Sequence, residues 1–279
     1  MKVGIKIGSV LLTKDGKLNT KLIYKIADQI NLLIEREHRV FLVSSGDIAS
    51  CPADVSSPKN LQAALGQGFL ISHYIQIFSV FGMQAAQILV TDRDLNKAGK
   101  ELSQLFDQIY IHNLRSCNKI VPIINANNAV DWKEIDQIND CSDNDNLFCQ
   151  VALLFNADIA IIGFDGPCVV NEDPTNSEDE EHPDVINEKN YGRLFTYIHE
   201  QCKNAESRLA RGGIVTKMIA GKTLAEHKIK TILADGNQEE FIAKAIHDLM
   251  AVYDSNEPTY KVGSTFIFPE PEIRLPEFT

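Results

Sequence analysis

Six times between residues 3 and 234 the chain follows a short apolar run with a longer amphipathic stretch. The runs at 3–7, 39–43, 86–91, 120–124, 159–162 and 231–234 read as strands. The stretches at 21–37, 61–81, 99–118, 146–155, 214–227 and 239–253 read as helices. Parallel neighbouring strands need a crossover of a dozen or more residues, which a helix supplies. The alternation therefore predicts an α/β fold, an αβα sandwich around a central, mostly parallel sheet covered on both faces. In such sheets ligands bind beyond the C-terminal ends of the strands. Ser44-Ser45-Gly46, Asn125-Ala126-Asn127-Asn128, Asp165-Gly166 and Asp235-Gly236 each follow a strand, so they are expected to converge on one edge.

Composition narrows the classes. A chain of 279 residues that is 44% hydrophobic can bury a large core, as one big α/β domain or two lobes. Its net charge is -11 and it has no basic stripe, which argues against a nucleic-acid partner. The six cysteines (51, 117, 141, 149, 168, 202) form no C-x-x-C pair, and several sit in apolar runs as buried free thiols do. No signal peptide is expected before Met1 and no apolar run reaches membrane-spanning length. The expectation is a soluble, cytoplasmic protein without a membrane partner. Residues 171–190 are acidic and contain two prolines, which reads as an exposed loop, a candidate lid over a nucleotide. There is no internal repeat, and residues 271–279 look irregular.

Four segments carry candidate chemistry. Asp143-Asn144-Asp145 precedes an apolar run, so it reads either as an acidic helix cap or as a site for an ammonium, a lysine or hydrated Mg2+. Lys6-Ile7-Gly8 closes the first strand. Lys6 can place a charge on phosphate oxygens and Gly8 lets backbone approach a ligand, or Lys6 is simply solvated. Val43-Ser44-Ser45-Gly46 is a backbone-lined anion pocket or an ordinary turn with an N-cap. Arg211-Gly212-Gly213 runs into a helix carrying Thr216 and Lys217, so it can cradle phosphates, or it is a flexible loop with a solvated lysine. The spacing is not that of a P-loop.

In this order the segments resemble the amino-acid kinase superfamily, and within it the glutamate 5-kinases. The matching pieces include Ile5 to Gly8, Val43 to Gly46, Ala63 to Gln67, Gln87 to Thr91, Ile120 to Asn125, Asp143 to Leu147, Ala157-Asp158, Glu172 to Pro174, Gly212-Gly213 with Thr216-Lys217, and Gly263 to Phe266. The resemblance implies one kinase domain over 1–270, with an acceptor-binding lobe (1–155) and a nucleotide-binding lobe (156–270); the chain is expected to lack the C-terminal PUA domain that many glutamate 5-kinases carry and shorter members lack. It implies transfer of the γ-phosphoryl of ATP, with Mg2+, to an amino-acid carboxylate, most simply L-glutamate. That is the first step of proline biosynthesis. Lys6, Lys217 and Asp145 would be catalytic, the lysines neutralising the phosphoryl group and Asp145 positioning them. Ser45, Gly46, Asn128, Asp143 and Asn144 would hold the acceptor. Lys6, Gly8, Phe164, Asp165, Arg211, Gly212, Gly213, Thr216 and Lys217 would hold the nucleotide. No protein ligand set for a metal is implied, and a homodimer or homotetramer is.

The departures from the family pattern fall in the binding loops. Asn-Glu-Asn-Asp becomes Asn125-Ala126-Asn127-Asn128, Asp47 stands where a small residue is usual, and Phe164 replaces a threonine. Phe164 either walls off the adenine or packs into the core. With an amide at 128, the acceptor's ammonium falls to Asp143 and Asp145, with Asp47 projecting from the other acceptor loop, and Asn128→Asp is expected to tighten glutamate. A diverged acceptor, and a catalytically weak nucleotide- or amino-acid-binding protein, are the alternative readings.

Overall fold

Alternation in the first strand sets the architecture. In β1 (Lys2–Ile7), Val3, Ile5 and Ile7 enter the core on one face of the sheet. Gly4 and Lys6 therefore face the other side, where the absent side chain of Gly4 makes room for the rings of Phe41 and Phe148. The same period continues in the neighbouring strands. Val40 and Leu42 join the first core while Phe41 and Val43 join the second; Ile159 and Ile161 divide likewise from Ala160 and Ile162. Two apolar layers result, one on each face, and each must be covered by helices.

The computed structural model describes residues 1–14, 16–52, 58–130, 143–166, 185–202 and 213–268. After β1 come α1 (Ser9–Leu12), a small hairpin of β2 (Thr13–Lys14) and β3 (Lys17–Leu18), α2 (Thr20–Glu35) and β4 (Arg39–Ser44). There follow α3 (Lys59–Val80), β5 (Met83–Val90), α4 (Asp92–Lys97), α5 (Gly99–Arg115) and β6 (Lys119–Ala126). The second half contributes α6 (Asp143–Leu154), β7 (Ile159–Phe164), β8 (Val185–Asn187), α7 (Glu188–Cys202), α8 (Ile214–Glu226), β9 (Lys230–Asp235), α9 (Phe241–Tyr253) and β10 (Gly263–Ile267). Helices α2, α3 and α9 pack on the first face, and α6, α7 and α8 on the second.

The eight-stranded sheet has the order β5-β6-β4-β1-β7-β9-β10-β8, and every pairing is parallel except β9 with β10. Strands through residue 126 build outward on one side of β1, and strands from residue 159 on the other. The build direction reverses between β1 and β7, which opens a crevice at their C-terminal ends.

All six sequence-predicted strands and six predicted helices are present, with ends moved by a few residues. Residues 185–190 correct the expected loop at 171–190. Val185–Asn187 pairs with β10, and Glu188 starts α7. Three residues of strand are too few for a period to register. The rest of that stretch, with its lid reading, lies outside the described residues, as does the tail at 271–279. Thr91, read as strand, is the N-cap of α4 in a capping box with Asp94. Of the cysteines, Cys149 is buried, Cys51 and Cys202 are half-buried and Cys117 is exposed; these four are free thiols, and Cys141 and Cys168 lie outside the described residues. Among the described residues no helix is long and apolar enough to cross a membrane.

Candidate functional site

Lys6 is near the end of β1, on the face covered by α6 and α8. Asp145 lies in the first turn of α6 and Lys217 in the first turn of α8. The three side chains meet. Asp145 Oδ1 pairs with Lys6 Nζ, and Asp145 Oδ2 lies 3.2 Å from Lys217 Nζ. Thr216 Oγ1 sits 2.5 Å from the same Oδ2 and 2.7 Å from the Gly213 carbonyl, so its single proton serves one of two acceptors. Lys217 Nζ also donates to the Gly213 carbonyl at 3.3 Å. Lys6 and Asp145 are each 1% exposed and Lys217 is 4% exposed. The open alternatives for both lysines, solvated side chains, are thereby excluded.

Counted among the described residues, this buried cluster holds two cations and one carboxylate, one positive charge in excess. Burial alone would raise the Asp145 carboxyl, but the Lys6 and Lys217 ammoniums outweigh it and hold the group well below the usual carboxylate range. Burial pulls Lys217 down to about 8, helped by Lys6 and opposed by Asp145. A desolvated, under-compensated cation pair is stabilised by an incoming anion. Two glycines stand beside it. A Cβ on Gly8 would lie 3.8 Å from Lys6 Nζ, and one on Gly213 would lie 3.5 Å from Lys217 Nζ. Gly213 has φ +58, the left-handed region in which glycine caps the start of α8.

On the β4 side, Ser45 donates its amide to the Ile7 carbonyl at 3.1 Å, which fixes the loop after β4 against the end of β1. Gly46 has φ +100 and turns that loop. Asp47 follows, 3% exposed, and accepts from Asn128 Nδ2 at 2.8 Å. Gln67 of α3 also bonds Asp47 and donates to the Ala126 carbonyl at 3.2 Å, tying the β4 and β6 loops together. Gly66 permits this: a Cβ there would fall 1.7 Å from the Asp47 carbonyl oxygen. Burial raises the Asp47 carboxyl, against the lowering effect of its hydrogen bonds from Asn128, Ile48 and Gln67.

Two expectations are corrected here. Asp145 does not have a carboxylate to spare for an acceptor's ammonium, because both oxygens face the lysines. An aspartate at 128 would not simply add an attraction, because it would set a second carboxylate against Asp47 at a contact now 2.8 Å long. Asn144, beside Asp145, is buried, and its Oδ1 has no hydrogen-bond partner among the described residues. Buried polar atoms are nearly always paired, and no donor among the described residues meets this oxygen.

At the end of β7, the Phe164 ring is 4% exposed, lies in the core of the second face and is covered by Gly166. The Phe164 carbonyl accepts from Gly236 at 2.8 Å, and Asn237 Nδ2 donates to Asp165 Oδ1 at 2.8 Å and Asp235 Oδ1 at 3.0 Å. These bonds join the loops after β7 and β9. Asp143 opens α6, with its side chain outside the described set; Arg211 and Gly212 lie outside the described residues. Among the described residues no three His, Cys, Asp or Glu side chains cluster to hold a metal ion. Sequence reading missed Asn237 and the bridging role of Gln67. Buried polarity on an inward helix face, next to a glycine, was the signal for Gln67.

Known proteins resemble this chain in sequence and fold. The amino acid kinase family profile matches residues 1–235. A glutamate 5-kinase of Shewanella woodyi is 31% identical over 254 residues, covering 88% of this chain and 65% of the relative. One from Caldanaerobacter subterraneus is 31% identical over 276 residues, covering 96% and 68%. The chain thus spans about two thirds of the length of these relatives. Carbamate kinase from Giardia lamblia, in a structure bound to AMP-PNP, superposes with a TM-score of 0.55 at 15% identity, covering 96% of this chain and 98% of that one. At that identity the superposition shows a shared fold.

Proposed function

This chain belongs to the amino acid kinase family, and from that premise we propose that it transfers the γ-phosphoryl of ATP to the side-chain carboxylate of L-glutamate. The products are ADP and L-glutamyl 5-phosphate, at the first step of proline biosynthesis. The observation that carries the reading is the buried Lys6–Asp145–Lys217 cluster at the crevice between β1 and β7. The acceptor carboxylate is ionised at neutral pH, so it attacks the γ-phosphorus without a general base. The bond to the β,γ-bridging oxygen breaks and ADP departs. Charge develops on the transferring oxygens, where Lys6 and Lys217 meet it, and one such preorganised contact is worth about 10^2–10^3 in turnover.

Asp145 keeps the two ammoniums together until the phosphates arrive. Amides near Gly8, Gly46 and Gly213 add uncharged donors. The donor set offers ammoniums and not free carboxylates, which fits phosphate; Mg2+ would enter on the ATP phosphates and neutralise part of their charge. Residues 1–155 would form the acceptor lobe and 156–270 the nucleotide lobe. Each contributes one side of the sheet flanking β1 and β7, which supports that division. Ser45, Asn128 and Asn144 would face the acceptor and Asp165 the nucleotide, with Arg211, Gly212 and Thr216 on the phosphate side. The reading places the protein in the cytoplasm as a homo-oligomer, and Leu61, Leu65 and Phe69, exposed along one face of α3, support the oligomer.

A different acceptor is the second reading, favoured by the neutral Asn128 and its bond to Asp47. ADP release against a panel of amino acids, with and without hydroxylamine to trap an acyl phosphate, tests both. Glutamate-dependent hydroxamate supports the first. Hydroxamate from another acid alone replaces it with the second.

A further inference from the structure

Asp47 is a buried carboxylate whose described partners are all neutral. Asn128 Nδ2 donates to it at 2.8 Å, the Gln67 side chain donates to it, and the remaining donors are backbone amides. Among the described residues no lysine, arginine or histidine forms an ion pair with it. A carboxylate 3% exposed in the absence of a cation is costly, and such groups are ordinarily paired. Its position adds meaning. Asp47 lies two residues beyond Ser45, whose amide is bonded to Ile7, and Ile7 adjoins Lys6 of the phosphoryl cluster. Gly66, packed against the Asp47 carbonyl, and Gln67, which bridges to Ala126, hold the carboxylate in place from α3.

The two sites have opposite charge. The Lys6–Asp145–Lys217 cluster carries one excess positive charge, suited to a phosphoryl group meeting a carboxylate. Asp47 carries one negative charge on the loop after β4, the strand that pairs with β1 and sets Val43 opposite Lys6. Asn144, whose buried Oδ1 is unpartnered among the described residues, adds a neutral acceptor. An acceptor with a carboxylate at one end and a three-donor ammonium at the other matches both poles. We infer that Asp47 is the specificity-determining residue that takes the α-ammonium of the acceptor, so that the site selects α-amino acids over plain dicarboxylates, with Asn128 and Gln67 as its positioning residues. This inference rests on the carboxylate-kinase reading above.

The test compares glutamate with glutarate, which keeps the reacting carboxylate and lacks the ammonium. In the native protein glutamate is expected to be preferred by kcat/KM. In Asp47→Asn the glutamate-to-glutarate ratio should fall about 10-fold or more, the factor that loss of one charge-assisted hydrogen bond gives, and mainly through KM for glutamate. The double variant Asp47→Asn, Asn128→Asp keeps an amide–carboxylate bond and moves the charge to the facing loop. It should recover part of the preference, and it answers the objection that the single variant only loosens the loop. An Asp47→Asn protein that discriminates as the native one does overturns the inference and leaves the kinase reading standing. Equal loss on glutamate and glutarate, with no recovery in the double variant, also overturns it, since the residue is then structural. A native protein that phosphorylates no α-amino acid overturns the function and the inference together.

Discussion

Replacing Asp145 with asparagine removes the one negative charge between two buried ammoniums. The cost can be worked from the structure. Lys217 stands at about 8, so at pH 7 it can shed its proton for about 1.4 kcal/mol, which limits its share. Lys6 loses its bond to Asp145 Oδ1, worth about 1.5–3 kcal/mol for a bond between charged groups. Together these give about 3–4 kcal/mol, in the range measured when a buried pair loses one partner. Lys217→Met acts differently. It removes the excess cation and leaves a neutral Lys6–Asp145 pair, so it should cost less than about 1 kcal/mol in stability. The assay is urea unfolding of the native protein and both variants at pH 7 and pH 9. At pH 9 Lys217 is neutral, and the deficit of Asp145→Asn should shrink by about 1.4 kcal/mol. An Asp145→Asn protein within about 1 kcal/mol of native at pH 7, or a Lys217→Met protein equally weakened, would refute this charge accounting.

The pKa of Lys217 also predicts a pH profile. Its folded value of about 8 lies below the ordinary 10.5, so it is cationic below pH 8 and neutral above. kcat/KM for ATP, which reports the free enzyme, should fall tenfold per unit above about pH 8, and Lys217→Arg should move that limb upward; a native profile flat through pH 9.5 contradicts it. Gly66→Ala should push the loop from Asp47 to Cys51 outward, because the new Cβ would fall 1.7 Å from a backbone oxygen. KM for the acceptor should rise several-fold while KM for ATP changes less, and equal effects on both would point to general misfolding.

Six of the eight sheet strands were legible because most of them are buried, so their apolar runs stand out, whereas Val185–Asn187 and Gly263–Ile267 were not read as strands. Lys6 could be placed on the inner edge by counting along β1, where Val3, Ile5 and Ile7 claim the other face. That Asp145 would reach both lysines was not legible from spacing alone: its partners are Lys6, on the first strand, and Lys217, on the helix after residue 213, and only the parallel crossovers bring them together. Val185–Asn187 escaped notice because its pairing with β10 is encoded by tertiary context. Asn128 was visible as an amide where a charge was expected, and Asp47 as a charge where a small residue was expected. Their hydrogen bond, which joins the two departures into one feature, required the structure.

The central claim is that Lys217 and Lys6, held by Asp145, meet the phosphoryl group in flight. Single-turnover transfer from ATP to glutamate, followed by rapid quench with both substrates saturating, isolates that step from binding. Lys217→Met should slow it by about 10^2-fold or more while the glutamate Kd stays within a few-fold. A variant that transfers at near the native single-turnover rate would remove the lysine cluster from the reaction and contradict the account.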